Sequence, residues 1–474
     1  VLIVGAGSAG SVLAERLSAD PNCHVIVVES GPGPTDPRVL AQISNGLRLP
    51  IGDASSVVRR YPTVLTEHPR RDAQIMRGAV VGGSGAINGG YFGRGLPADF
   101  ARWGLPGWSW QDVLPHFRAI ETDVDFDNAL HGSAGPIRVQ RVSQFDGCTA
   151  SFVNAAGQAG YRWIADLNGA TPDEPLAPGV AAVPLNIDRG TRVGPGGAFL
   201  QPAMNRGNLT VLANTSVRRV RIADGRAAGV DCVGPDGATT LVADRIVLSA
   251  GAIGSAHLLM LSGVGPQEAL RRLDIPVHAD LPVGAATVDH PELVLPVGWA
   301  PTHGLPPLEA VLTTENGIEI RAYTTGFGAM INGRLDDPAD RPHLGVALMQ
   351  PTARGRISLV SADPDVSPAI EHRYDSEAGD VAALRAGAEL ARELVSPTTE
   401  VGATTWSTSQ HLSGTAPMGL DVDPMAVLDP QCRVRGIAGL WVVDGSVLPA
   451  ITSRGPHASI VMIGHRAADF ITAA

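Results

Sequence analysis

Lysine is absent, and all 36 basic residues of the chain are arginine. Beside 56 glycines and 37 prolines, that absence reads as the codon bias of a GC-rich bacterial genome, not as a demand for guanidinium chemistry. A positive excess is absent too. With 47 acidic residues the net charge is −11, which argues against nucleic acid or an anionic membrane surface as the main partner. Cysteine is scarce: Cys23, Cys148, Cys232 and Cys432 lie far apart, without a C-x-x-C pair. Neither a zinc site nor a disulfide scaffold is built that way, so no metal is expected and the thiols suit a reducing cytoplasm. The chain opens directly on an apolar strand, so no secretory leader is expected. Internal repeats and low-complexity tracts are absent. One charge-free run, Ile246 to Gly265, has roughly the length that spans a bilayer. His257 within it, and Gly251, Gly254, Gly263, Gly265 and Pro266, point instead to a strand over 246–249, a glycine turn and a buried helix from about Ser255. No transmembrane segment is expected.

A chain of 474 residues, 44 % hydrophobic, suggests about two or three domains with a large core that needs no disulfides. Its start is the most ordered part of the pattern. Val1-Leu2-Ile3-Val4 is followed by Gly5-Ala6-Gly7-Ser8-Ala9-Gly10, a helical run, then His24-Val25-Ile26-Val27-Val28-Glu29. This is strand, glycine loop, helix, strand and acid, the arrangement that binds a dinucleotide. Gly5 permits the tight turn, Gly7 the approach of a pyrophosphate, and Gly10 close packing of helix on strand. Ser8 and Ala9 open the helix, whose free N–H groups face the phosphates. Glu29 is placed to accept from a ribose diol and disfavours a 2′-phosphate, so NADP is not expected. The motif alone does not separate NAD from FAD.

Residues 31–76 look irregular. A second glycine-rich loop then runs from Arg77 to Gly90, and its apolar anchors Val80, Val81, Ile87 and Tyr91 suggest a backbone pressed against a flat ligand. Asp99 to Glu121 carries three tryptophans, which read as core or domain-seam packing. No pattern is clear over 141–189. Short strands and turns from Leu209 to Leu248 read as a β-meander. Strands are expected at Ile318–Tyr323 and Leu344–Gln350, with a helix near Asp380–Leu394.

The chemistry is expected between His411 and His465. Trp441-Val442-Val443 suits a buried strand ending at Asp444-Gly445, and Ser459 to Phe470 has helical spacing. His411 precedes the strand and His457 stands at the mouth of the helix. Histidine transfers protons near neutral pH, and a strand that returns both ends to one face could bring these two together.

Three stretches carry a resemblance: R-G-A-V-V-G-G-S-G-A-I-N-G-G (77–90), GAIGSAHLLMLSGVGP (251–266), and the run from His411 to His457. Together they resemble the GMC oxidoreductases, the flavoprotein family of glucose oxidase, choline oxidase and aryl-alcohol oxidase. The resemblance implies an α/β fold. A Rossmann-like FAD-binding domain would be assembled from 1–140, 190–285 and 405–474. A discontinuous α+β substrate domain on an antiparallel sheet would come from 141–189 and 286–404. It further implies contacts to FAD from Gly5, Gly7, Ser8, Ala9, Gly10, Glu29, Arg77, Gly82, Gly83, Ser84, Asn88, Gly89, Gly90, Val217, Ala250, Asp444, Gly445, Ala458 and Ser459. Ile87 stands where some members attach the flavin to a histidine, so the FAD should be noncovalent. The helix beginning near Ala458 would aim its N-terminus at the pyrimidine side of the flavin.

By the same resemblance His411 is the base that takes the alcohol proton, and His457 bonds the substrate oxygen while a hydride passes to the flavin N5. Asp280 to Pro291 departs from the family's usual D-L-P-G-V-G-x-N-L-x-D-H. Short length, and the segments FRAIETDVDFDNALHG and VPLNIDRGTRVGPGGAFL, look like the mycofactocin-associated dehydrogenases of actinobacteria. That branch implies a reduced redox cofactor, mycofactocinol, as substrate and a respiratory electron acceptor. It implies a cytoplasmic protein, with peripheral attachment to the inner membrane face as a variant. The alternatives are a dehydrogenase or oxidase for a small primary alcohol, of the choline or aryl-alcohol type, and a non-redox hydroxynitrile lyase.

Overall fold

The computed structural model describes residues 1–335, 337 and 339–474. Five short strands rich in Leu, Ile and Val form a parallel sheet whose inner strands are buried, as such runs require. They are β1 (Leu2–Val4), β2 (Val25–Val28), β3 (Leu209–Leu212), β4 (Ile246–Leu248) and β5 (Leu440–Val442), in the spatial order β3-β2-β1-β4-β5. Val4 lies level with Val28 and Leu248, so the residues that follow these strands (Gly5, Glu29, Ser249) emerge at one edge. Ligands of open α/β sheets bind at that carboxyl edge. Helices α1 (Ser8–Leu17), α2 (Gly251–Leu261) and α3 (His457–Thr472) cover the sheet. Gly464 of α3 fits against Ala9, where an added Cβ would lie 2.9 Å from the Ala9 backbone.

A second layer is antiparallel. Its six strands run Thr405–Thr408, Pro291–Pro296, His343–Leu348, Ile318–Tyr323, Leu308–Thr313 and Gly179–Ala182 across the sheet. One face packs on Gly147–Gln158 and Ala378–Glu393, burying Leu295, Leu312, Ile320, Leu344, Val346 and Leu384. Thr405–Thr408 belongs to this sheet, so a boundary between 404 and 405 would cut one of its strands away.

Several segments differ from the sequence expectation. Residues 31–76 are not irregular: they hold a helix, Pro37–Ser44, and most of a long hairpin, Val58–Glu67 with Arg70–Gly78. Arginines on its faces and Pro62 inside the run obscured it. Pro62 is tolerated because only the hairpin partner pairs there; the strand on the other side reaches only Val64. The stretch 141–189 contains the helix Gly147–Gln158 and the strand Gly179–Ala182. Within Leu209–Leu248 a true meander spans Ser216–Ala223, Arg226–Gly234 and Gly237–Val242, but both ends, β3 and β4, join the parallel sheet. Local patterning does not reveal which sheet a short apolar strand enters. Trp103, Trp108 and Trp110 are core residues, and Trp103 and Trp108 donate to the carbonyls of Ala450 (3.0 Å) and Pro430 (2.8 Å). The Ile246–Gly265 run is strand and buried helix, and no described helix is long and apolar enough to cross a membrane.

Candidate functional site

A long cavity opens at the carboxyl edge of the parallel sheet and runs from Glu29 to His411 and His457. Gly5, with φ +99°, makes the turn after β1; a Cβ there would lie 2.5 Å from the Ser249 carbonyl oxygen. The two glycine loops meet without side chains between them, since a Cβ on Gly83 would come within 2.8 Å of the Gly7 Cα. Gly7, at the N-cap of α1, makes no side-chain cap, so the first N–H groups of the helix are open to an anion. Ser8, Ala9, Val217 and Ala250 line the cavity as well. Glu29 lines it too, but its carboxylate already accepts from the N–H groups of Ala6 (2.9 Å) and Gly31 (2.8 Å). The acid therefore shapes the first glycine loop as well as facing the ligand space.

Arg77, Gly83, Ser84, Asn88, Gly89, Asp444 and Gly445 also line the cavity. The Arg77 guanidinium meets only neutral acceptors among the described residues, the Met76 carbonyl at 2.8 Å and the Gln410 Oε1 at 3.4 Å. Ser84 Oγ is turned back on the Gly78 N–H (3.1 Å). The carboxylate of Asp444 is committed to Gly251 N (2.9 Å), Ser446 N (2.8 Å) and Ser255 Oγ (2.5 Å), tying β5 to α2.

Five expected contact residues stand behind the cavity wall instead. Gly10 lets α1 press on the Gly5 carbonyl, Gly82 donates to the Ala6 carbonyl (2.7 Å), and Gly90 is fitted against Ile187. Ala458 and Ser459 are buried in the first turn of α3, where Ser459 Oγ accepts from Gly95 N (3.2 Å). Close packing calls for small residues at these positions. Ile87 is buried with Val39, Val57, Val80 and Ala86.

The structure brings His411 and His457 into one cavity. It also shows partners that pattern reading missed. Asp289, buried, accepts through Oδ1 from the backbone N–H of both His290 and His411 (2.8 Å each). Its Oδ2 holds Tyr374 (2.9 Å) and Thr408 (2.8 Å). Gln410, at φ +63°, joins this turn to the hairpin by accepting from Met76 N at 2.8 Å. The adjacent Asp289-His290 pair was the available signal, but only the fold sets it beside His411.

The imidazole contacts fix a tautomer. His290 Nε2 lies 3.0 Å from the Thr452 carbonyl, which can only accept, so His290 carries its proton there. Burial, opposed by Asp289, holds His290 down at about 4, so the ring is neutral and its Nδ1 is a lone pair. His411 Nδ1, at 2.8 Å, must then be the donor, leaving the His411 Nε2 lone pair for chemistry. Burial, then His290, Arg321, Arg77 and His457, keep His411 well below the ordinary imidazole range. His457 touches Ser8 Oγ through Nδ1 (3.4 Å), stands edge-on to Phe92, and has a buried Nε2 with no partner among the described residues. Burial first, then Arg192, lowers its pKa to about 4. Away from the cavity Glu121, Asp123 and His131 approach as metal ligands would, but Arg94 and Arg141 occupy the same carboxylates.

These imidazoles make stability depend on pH. His257, His290, His372, His457 and His465 are all lowered to about 4, chiefly by burial. The unfolded chain therefore binds protons first: their contribution is complete above the ordinary 6.5 and is lost as pH falls towards 4. His131 runs the other way. Burial opposes its charge, yet Asp123, Asp166 and Glu121 raise it to about 10, so its share is present below 6.5 and lost as pH rises through 10. Thermal and denaturant melts from pH 7 to 4 should show stability falling faster than the about 1.4 kcal/mol per pH unit of a single proton. A flat profile would contradict the burial of these rings.

A family model described as GMC oxidoreductase matches residues 1–292, and its C-terminal counterpart matches 351–464. An uncharacterised GMC-type oxidoreductase from the thcA 5′ region of Rhodococcus erythropolis is 39 % identical, over 99 % of this chain and 97 % of its own. An oxygen-dependent choline dehydrogenase of Photobacterium profundum is 31 % identical, over 99 % and 92 %. The crystal structure of pyridoxine 4-oxidase from Mesorbium loti superposes with a TM-score of 0.87 at 27 % identity, covering 100 % of this chain and 99 % of that one.

Proposed function

Because this chain belongs to the GMC oxidoreductase family, we propose that it oxidises an alcohol to a carbonyl, with His411 as the base and His457 as the partner of the substrate oxygen. The observation that carries this reading is the fixed tautomer of His411, whose free Nε2 shares a cavity with the unpartnered Nε2 of His457. The cofactor is FAD, which when bound accepts the hydride leaving the alcohol carbon. The residues fit it: the uncapped α1 terminus and the bare seam of Gly7 and Gly83 suit a pyrophosphate, and Glu29 a ribose. Arg77 adds a cation without a carboxylate partner among the described residues. α3 also starts without a side-chain cap, at Pro456, so its free N–H groups favour negative charge beside His457.

His411 Nε2 takes the hydroxyl proton, and its Nδ1–H, pinned on His290, stops the ring from turning away. His457, neutral, donates to the oxygen as charge builds on it, which strengthens that bond in the transition state. Both rings stay unprotonated at neutral pH, so the base is always in the form that can accept.

The substrate we favour is reduced mycofactocin, with electrons passed to a respiratory acceptor at the cytoplasmic face; its support is the resemblance over 117–132 and 183–200. The alternative is a small primary alcohol, supported by likeness to choline dehydrogenase and pyridoxine 4-oxidase. A quaternary ammonium is disfavoured, because the carboxylates lining the cavity (Glu29, Asp365 and Asp444) are all bonded elsewhere and Arg77 stands towards the reacting end. Under nitrogen, the yellow holoenzyme should bleach with its substrate, and a panel of alcohols plus reduced mycofactocin ranks the candidates. No bleaching by any donor, with cleavage of a cyanohydrin instead, would favour the lyase. Hydrogen peroxide formed as fast as a dye is reduced would overturn the respiratory acceptor.

Acid or heat should release the FAD into the supernatant, since buried Ile87 offers no atom for a covalent link. Glu29→Ala should lower FAD retention on gel filtration. Colour that stays with precipitated protein, or a fully loaded variant, contradicts these two assignments.

A further inference from the structure

Four arginines are buried among the described residues: Arg94, Arg192, Arg321 and Arg454. Three of them reach carboxylates, Arg94 on Glu121, Arg321 on Glu292 (3.0 Å) and Glu319 (2.9 Å), and Arg454 on Glu319 (3.7 Å). Arg192 is 4 % exposed and pairs with no carboxylate among the described residues. Its donors go to backbone carbonyls: Nε to Asn88 (2.9 Å), one terminal nitrogen to Ile43 (2.8 Å) and Ala86 (3.2 Å), the other to Arg48 (2.6 Å). Burial lowers its pKa to about 10, so the charge survives at neutral pH. A buried charge with no counter-ion is costly, and such a charge persists where something uses it.

Its position suggests the use. Ala86 and Asn88 belong to the second glycine loop, whose other side is cavity wall. Gly85 of that loop lies so close to the His457 ring that a Cβ would come within 2.6 Å of Cε1. Among the described residues, His457 contacts Ser8 of α1, shares the cavity with His411, and feels the charge of Arg192 from Thr191–Arg192 behind the loop. Of these only Arg192 is charged at neutral pH.

We infer that Arg192 is a positioning residue for the reaction: an unneutralised positive charge behind the glycine loop, it makes the His457 end of the cavity receptive to negative charge. With burial, it keeps His457 a neutral donor, and it favours the alkoxide. This rests on the alcohol oxidation proposed above.

The absence of lysine supplies the test. In Arg192→Lys the new ammonium is the only one on any side chain, so its titration can be followed by NMR of ¹³C-labelled lysine. Buried amines lose their proton early, so raising the pH switches the charge off inside a folded holoenzyme. As the introduced amine titrates, the midpoint potential of bound FAD should move negative relative to the parent at the same pH. The anaerobic reduction rate should fall by at least about tenfold in step. Arg192→Gln, uncharged throughout, should behave at every pH like the deprotonated form of Arg192→Lys. Both readouts matching the parent while the amine titrates overturns the inference. A pKa for that amine at or above the ordinary lysine value of about 10.4 overturns it too, because the charge would then be well compensated. The potential needs no alcohol. A parent that no alcohol reduces therefore refutes the proposed reaction and leaves the potential to judge Arg192.

Discussion

His411→Ala should reduce its flavin about 10²–10⁴-fold more slowly than the parent under nitrogen, the usual worth of a positioned base. The FAD content should stay near normal, because among the described residues the ring's one bond is to another side chain, His290, and not to a cofactor loop. His457 offers the contrast. His457→Asn keeps a donor and should lose less than His457→Ala, which leaves the developing oxyanion without its partner. Stopped-flow absorbance ranks the three directly. Parent-like reduction by His411→Ala would move the base to His457.

How far the sequence already told this varied with the range of each signal. The first glycine loop was legible because strand, turn, helix and acid are contiguous, and each glycine has a local reason. Gly10 shows the limit: its smallness is a packing requirement that the motif makes legible, while the resemblance also implies a ligand contact, and it lies behind Gly5. Ile318–Tyr323 could be placed from its apolar alternation, whereas the hairpin 58–78 was hidden by arginines and Pro62. His411 and His457 were found by residue type and flanking pattern. Asp289 and His290 were not, since their importance lies in contacts more than a hundred residues distant in sequence (|i−j| 121 and 122). Arg192 carries no signal in the sequence, because a missing counter-ion is a property of three-dimensional surroundings.

The second large effect should come from His290, which acts through His411. His290→Leu removes the acceptor at 2.8 Å and leaves a buried His411 N–H unpaired. An unmade buried hydrogen bond is worth about 1–3 kcal/mol, and the ring can turn or change tautomer to recover it. The Nε2 lone pair would then point at the substrate only part of the time, and flavin reduction should slow by about 10- to 100-fold. His290→Asn places an amide oxygen near the former Nδ1 and should restore most of the rate, although the tie to the Thr452 carbonyl is lost. The pH profile separates this from plain destabilisation. In the parent, protonation of His290 near pH 4 turns its acceptor into a second donor facing the His411 N–H, so the rate falls as pH drops through that value. His290→Asn carries no titrating group there and should lose that part of the acid limb at an undiminished FAD content. A His290→Leu enzyme with the parent's rate and acid limb would show that the tautomer of His411 is set by something other than His290.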